Sequence, residues 1–335
     1  MAVALRISLL LPLLLLGSDL HAETTTLEDE RLLRVDVEEP PLPTLSWSLV
    51  PHDPVPRVNL EQVWWTVPRR ESLDRLADRW GTKPQLLRTL NPELEDDLVE
   101  GGERLLVHDA EPDTVSRSVG ATNRGRIENA VPFPEGGAWV LRPWRARAYA
   151  TEPVIARLMI AFQTFAERHP DAQPIVIGEL SARTGGRIRP HSSHQSGRDV
   201  DLGYVVDAPA PPNGRWPKVD VHTFDAETNW SLVRALIDTG EVERIFIDVR
   251  LQRKLLEVAR GELSDEELGQ WFSIAAPSKR AASLATIGHW AGHDDHMHVR
   301  FRCTDLDLRC DAGPPSKKKR KKSKGRSKGK RKTKR

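Results

Sequence analysis

Six of the eleven histidines of this 335-residue chain fall in two short windows, 191–194 and 289–298, and that grouping constrains the fold more than any other feature of the sequence. Histidines scattered through a surface or a core do not cluster in this way, whereas imidazoles and carboxylates gathered together ask for a metal ion. The first window reads His191-Ser-Ser-His-Gln-Ser-Gly-Arg-Asp-Val-Asp201, and the second ends in His293-Asp-Asp-His-Met-His298. A fold that serves both has to carry two remote stretches into one place.

Strand alternation says how. Along His296-Met-His-Val-Arg-Phe301, His296, His298 and Arg300 share one face, and Met297, Val299 and Phe301 share the other. In Asp199-Val-Asp-Leu-Gly-Tyr204, Asp199 and Asp201 lie opposite Val200, Leu202 and Tyr204. Two such strands side by side converge imidazole and carboxylate on one ion, and Gly197 lets the chain turn so that His194 joins them. Three protein ligands with an open fourth position suit a catalytic zinc, because bound water must be replaceable; a closed structural site usually takes four protein groups, often cysteines. No glutamate stands in a His-Glu-x-x-His helix, so the proton-transferring base is expected among the histidines. Asp294 and Asp295 either orient the imidazoles or make a solvated turn. Asp220 and His222 are the weak candidates for a second metal site, and His222 and His289 read more readily as incidental histidines.

Composition divides the chain. Residues 316–335 hold 14 Lys/Arg and no acid, so the remaining 36 basic and 48 acidic groups leave a body of net charge −12. Residues 1–22, with Arg6 followed by the apolar run Ile7 to Leu16, read as a secretory signal too short to span a bilayer. In an exported chain, the nearby Cys303 and Cys310 are expected to form one disulfide. Residues 23–60, acidic and then proline-rich, read as a semi-rigid spacer. Residues 61–110 follow as strand, helix, helix, strand: Val63-Trp-Trp-Thr-Val67, then Leu73, Leu76, Ala77 and Trp80 at helical spacing closed by Gly81, a short helix from Pro84 to Leu90, and a closing strand after Gly101-Gly102. Residues 111–135 read as a polar linker and 136–313 as the larger domain. That domain has helices over 152–168, 226–239 and 250–260, strands at 174–178 and 244–248, and a capping box at Ser264-Asp-Glu-Glu267. The mixture predicts an α+β fold, a small antiparallel-sheet domain with surrounding helices beside a small βααβ domain. Residues 314–335 lack the apolar groups to build a core and read as a disordered polycation, drawn broadly to anionic envelope polymer without specific nucleic-acid recognition.

Segment 61–110, with Thr66-Val-Pro-Arg-Arg-Glu-Ser-Leu73 and Leu98-Val-Glu-Gly-Gly-Glu-Arg-Leu-Leu-Val107, resembles a LysM module, although Arg70-Glu71 stands where such modules usually have Gly-Asp. The resemblance implies binding of N-acetylglucosamine-containing glycan. The two histidine motifs, with Gly178-Glu-Leu-Ser181, Gly185-Gly186 and the terminal cysteines, resemble the penicillin-insensitive murein endopeptidases over about residues 136–312. That likeness implies zinc ligation by His194, Asp201 and His298, with His296 as catalytic base or transition-state stabiliser and His293 as a second active-site imidazole. It makes His191 an additional ligand or a substrate contact. Asp199 and Arg300 share the site face, as supporting or substrate-holding groups. Arg198 would place a positive charge beside the site. The expected activity is hydrolysis of the D-alanyl to diaminoacyl cross-link of peptidoglycan by a secreted, periplasmic or wall-associated enzyme with no transmembrane span. A D,D-carboxypeptidase and a non-catalytic peptidoglycan-binding protein are the alternatives.

Overall fold

The computed structural model describes residues 60–206, 216 and 219–311; the expected signal segment, the spacer before residue 60 and the basic tail lie outside the described residues. The described residues begin with β1 (Gln62–Thr66), β2 (Glu71–Ser72), α1 (Leu73–Trp80), α2 (Pro84–Leu90), β3 (Leu98–Val99) and β4 (Arg104–Asp109). β1 pairs antiparallel with β4, and β2 with β3. α1 forms because Leu73, Leu76, Ala77 and Trp80 bury on one face; the Ser72 hydroxyl accepts from the Arg75 N–H at its start, and Gly81 ends it at φ 60°. Asn91, fully buried, donates to the Leu87 and Leu106 carbonyls and accepts from the Leu106 N–H, locking α2 to β4. This small unit is packed firmly against the larger body. The Tyr149 hydroxyl donates to the Trp80 carbonyl at 2.8 Å, and Trp80 meets both Trp65 and Tyr149 edge to face.

Residues 111–135, read from the sequence as a polar linker, carry regular structure. β5 (Arg117–Ala121) and β6 (Arg124–Glu128) form an antiparallel hairpin, followed by β7 (Val131–Pro132). Gly125 is there for close approach: a Cβ on it would lie 2.5 Å from the Val119 carbonyl oxygen and 2.6 Å from that of Ala121. Beyond them come β8 (Trp139–Leu141), a single 3-10 turn (Arg145–Arg147) and β9 (Tyr149–Ala150), which pairs with β7.

The body continues through α3 (Glu152–Arg168), β10 (Ile175–Ile177), β11 (Asp199–Gly203), α4 (Ala226–Asp238), β12 (Val242–Phe246), α5 (Val249–Ala259), α6 (Asp265–Trp271), α7 (Lys279–Leu284), β13 (Ile287–Gly288), β14 (His296–Phe301) and β15 (Arg309–Cys310). Its six-stranded sheet runs β13-β12-β14-β11-β10-β8. The central pairings are antiparallel, while β8–β10 and β12–β13 at the two ends are parallel, so the α+β sheet is mixed rather than purely antiparallel. Ile155, Leu158, Phe162 and Phe165 of α3 and Leu232, Val233 and Leu236 of α4 share one core with Val200, Leu202, Met297, Val299 and Phe301 of the sheet. At about 25 cal/mol per Å², such burial dominates the stabilisation of the fold. The opposite face of β11 and β14 is left to polar side chains. Cys303 and Cys310 are disulfide-bonded, and β15 runs parallel to β5. Among the described residues no helix is long and apolar enough to cross a membrane.

Candidate metal centre

β11 and β14 lie side by side in a register that sets Asp201 opposite His298, Asp199 opposite Arg300 and Gly203 opposite His296. The period of two then puts both carboxylates and both imidazoles on one face. His194 reaches the same point from the preceding loop, which turns through left-handed backbone at His194 itself (φ 62°) and again at Gly197 (φ 72°). A β-carbon is tolerated at such an angle only where the surroundings compel it. Here the His194 N–H donates to Asp199 Oδ2 at 3.0 Å, and the His194 carbonyl accepts from the Ser181 hydroxyl at 2.5 Å.

Three atoms meet at the centre. His194 Nε2 lies 3.2 Å and His298 Nδ1 3.0 Å from Asp201 Oδ1, and the two ring nitrogens are 3.1 Å apart. Both rings are already committed on their far sides: His194 Nδ1 faces the Leu180 carbonyl at 2.8 Å, and His298 Nε2 faces Asp199 Oδ1 at 2.9 Å. Each of those nitrogens must therefore carry the hydrogen, which leaves two lone pairs and a carboxylate pointed at one another. Neither oxygen of Asp201 receives a directed hydrogen bond, although the residue is only 1% exposed. Buried acceptors facing acceptors are repulsive unless a proton or a metal cation stands between them. The spacing also fits one, since ligands about 2.0–2.1 Å from a tetrahedral zinc sit roughly 3.3 Å from each other.

His191, half-buried, adds a further donor. Its Nδ1 is 3.6 Å from Asp201 Oδ2, its ring centroid 4.6 Å from that of His194, and His191, His194 and Asp201 each offer an atom within 4.8 Å of the others. Asp199 gathers the supporting contacts. It accepts from His298 Nε2, from Arg300 Nε at 2.7 Å and from the His194 backbone, so Arg300 is occupied in holding Asp199. Arg198 presents no charge to the cleft: its guanidinium is buried and donates to the Phe301 and Asp311 carbonyls and to Glu243. Asp220 caps its own turn through the His222 and Thr223 N–H groups, and His289 Nδ1 accepts from the Val249 N–H.

The electrostatics follow from burial and charge. Burial pushes the Asp199 carboxyl up, but the Arg300 guanidinium and the His298 imidazole outweigh it and hold it below the usual carboxylate range. Asp201 is likewise held well below it by His194 and His298 against burial. Burial lowers His298, yet Asp199 and Asp201 raise it to about 9, so in the metal-free site a proton stands where a cation would. His293 is pushed down to about 4 by burial and by His298 and His296, which keeps it neutral near pH 7. Its Nδ1 faces the Trp290 carbonyl at 3.0 Å.

His296 sits at the rim, with Nε2 3.8 Å from Asp201 Oδ1 and Nδ1 2.5 Å from Asp295 Oδ1. Its ring stacks on Trp216 with centroids 5.0 Å apart and planes 10° from parallel. Trp216 escapes a reading by periodicity, being an isolated indole in a proline-rich stretch; a large aromatic outside any core pattern was the available signal. Two glycines explain its seat, because a Cβ on Gly178 would approach the indole to 2.4 Å and one on Gly203 to 3.0 Å. Glu179, almost fully buried, is the other side chain that spacing alone did not single out. It faces His191 at 4.0 Å and Arg142 and Arg147 at 3.5 Å each.

The family profile described as penicillin-insensitive murein endopeptidase matches residues 118–326. The chain is 26% identical over 222 residues to the penicillin-insensitive murein endopeptidase of Yersinia enterocolitica, covering 59% of this chain and 72% of the relative. It is 26% identical over 221 residues to that of Klebsiella pneumoniae, covering 60% and 72%, and 27% identical over 158 residues to that of Salmonella arizonae, covering 42% and 49%.

Proposed function

The chain belongs to the penicillin-insensitive murein endopeptidase family, and from that premise we propose that it is an exported, zinc-dependent peptidase that hydrolyses amide cross-links between peptidoglycan stem peptides, D-alanyl to diaminoacyl. The observation that carries the metal reading is the trio His194 Nε2, His298 Nδ1 and Asp201 Oδ1, mutually 3.0–3.2 Å apart with every other partner of the two rings already assigned. These three residues would hold the cation, with His191 as a further donor. Once bound, zinc supplies Lewis-acid polarisation of the scissile carbonyl and lowers the pKa of water it holds from 15.7 towards about 7.

The protein's own groups do the rest. Asp295 accepts the His296 Nδ1 hydrogen, so Nε2 keeps its lone pair and faces the centre. That nitrogen takes a proton from the attacking water as the C–O bond forms and hands it to the departing amine as the C–N bond breaks. Trp216 fixes the plane of the ring during both transfers. His293 is neutral near pH 7 and offers a hydrogen-bonding nitrogen to substrate. The LysM-like module would keep the enzyme on the glycan, and the basic tail on anionic envelope polymer.

Digestion of purified sacculi with and without a chelator, followed by chromatography of the released muropeptides, tests the reading. Cross-linked dimers should fall to monomers, stop falling with chelator, and resume with added zinc. Free D-alanine from uncrosslinked stems would make the protein a carboxypeptidase, and absence of any cleavage by the zinc-loaded protein would leave a binding protein. Exchanging His296 for Ala should abolish cleavage while zinc is retained.

A further inference from the structure

A cleft of about 550 Å³ separates α1 from the segment that follows β8. Glu71, Arg75 and Asp78 form one wall, and Pro143, Trp144 and Arg147 form the other. Trp144 is 54% exposed, an unusual position for a large indole unless it serves as a contact surface. It is also held in place: the Arg142 guanidinium lies 4.5 Å and that of Arg147 5.8 Å from its ring, and Glu179 anchors both arginines.

The same Arg142 lies 4.9 Å from the Trp216 ring, and Trp216 stacks on His296. Trp144, Arg142, Trp216 and His296 thus make an unbroken line of ring and guanidinium contacts from the cleft to the rim of the metal centre. The two walls are tied to each other, because the Tyr149 hydroxyl donates to the Trp80 carbonyl at the end of α1 and Gly81 packs against Ala146. Its charges largely cancel. Glu71 is bound by Arg79 at 2.6 and 2.8 Å, and Arg147 is paired with Glu179.

A flat apolar platform beside balanced donors and acceptors matches a ring with one C–H face and a rim of hydroxyl and amide groups. It does not match a polyanion, which would call for unopposed cations. We propose that this cleft is a saccharide subsite, with an N-acetylated hexosamine of the glycan strand stacked on Trp144 while the stem peptide attached to that strand lies along Arg142 and Trp216 towards the metal centre. The inference rests on the reading of peptidoglycan as the substrate. It assigns the cleft a substrate contact that the metal centre and the module's own fold do not require.

The test compares two substrates in the full-length, zinc-loaded protein: a cross-linked muropeptide dimer that keeps its sugars, and the same peptide dimer freed of them. Trp144→Ala should raise KM for the glycosylated dimer roughly five- to tenfold and leave kcat unchanged. It should leave the sugar-free dimer unaffected, and Trp144→Phe should recover most of the loss. Equal kinetics of wild type and variant on the glycosylated dimer, or an equal loss on both substrates, would overturn the proposal. Calorimetric titration with a tetramer of N-acetylglucosamine decides independently, even if wild type cleaves neither dimer and the peptidase reading itself fails. Binding by wild type that weakens in Trp144→Ala supports the subsite, and binding that is equal in the two, or missing from wild type, removes it.

Discussion

Asp199 takes three donors at once, from His298 Nε2, Arg300 Nε and the His194 backbone, and so decides how His194 and His298 present themselves to Asp201. Asparagine there keeps the size but surrenders the charge and one lone-pair face. Asp199→Asn should weaken zinc affinity by about 10–100-fold, measured by competition with a chromophoric chelator, with the far-ultraviolet spectrum unchanged. Unaltered affinity would mean that Asp199 only seats the strands. The proton held by His298 gives a second expectation. Its folded pKa of about 9 exceeds the 6.5 of a free imidazole, so in the metal-free protein the pairing stabilises fully below pH 6.5 and is lost as pH climbs towards 9. Asp199 and Asp201 are depressed, so their contribution is present above the ordinary carboxylate range and lost on acidification below it. The thermal midpoint of chelator-treated protein should therefore fall between pH 6.5 and 9, while zinc affinity rises over the same interval because the cation displaces that proton. A midpoint flat from pH 6 to 9 would refute this account.

At the scale of elements, the Cys303–Cys310 bridge and the pairing of β15 with β5 tie the end of the body to the hairpin that begins it. Replacing both cysteines with serine should cost about 2.5 kcal/mol by loop-closure entropy, seen as a lower denaturation midpoint, without loss of bound zinc. Zinc loss at equal stability would show that the bridge shapes the centre instead. Where local chemistry set the outcome, the sequence was readable. α1 follows its apolar face and its Ser72 and Gly81 ends, α6 opens on the Ser264 and Glu267 capping box, and β14 splits by alternation into a core face and a site face. What escaped depends on contacts between remote segments. The β5–β6 hairpin is masked by glycines present for backbone approach, the parallel ends of the sheet are set by crossovers, and Trp216 is seated by Gly178 just past β10 and by Gly203 of β11. His194 was legible as a member of the centre through Gly197, but its own left-handed backbone has no signature in residue type.

For the molecule as a whole, Trp65, Trp80 and Tyr149 join the N-terminal βααβ unit to the body through buried rings, and the Thr66 N–H donates to Glu135 at 2.9 Å. Units coupled by buried aromatic contact should unfold together, so calorimetry should give one transition; two separated peaks would mean independent domains. Charge acts over a longer range. With 14 of its 50 basic groups in residues 316–335, the chain of net charge +2 becomes one of −12 when they are removed. An anionic polymer would then repel the remainder, and any residual binding would have to come from short-range contact. Deleting 316–335 should weaken pelleting with sacculi and flatten its dependence on sodium chloride, while cleavage of a soluble cross-linked dimer stays unchanged, because the candidate metal centre is built wholly from other residues. If both proteins pellet alike at every salt concentration, retention belongs to the folded units and the polycation serves another partner.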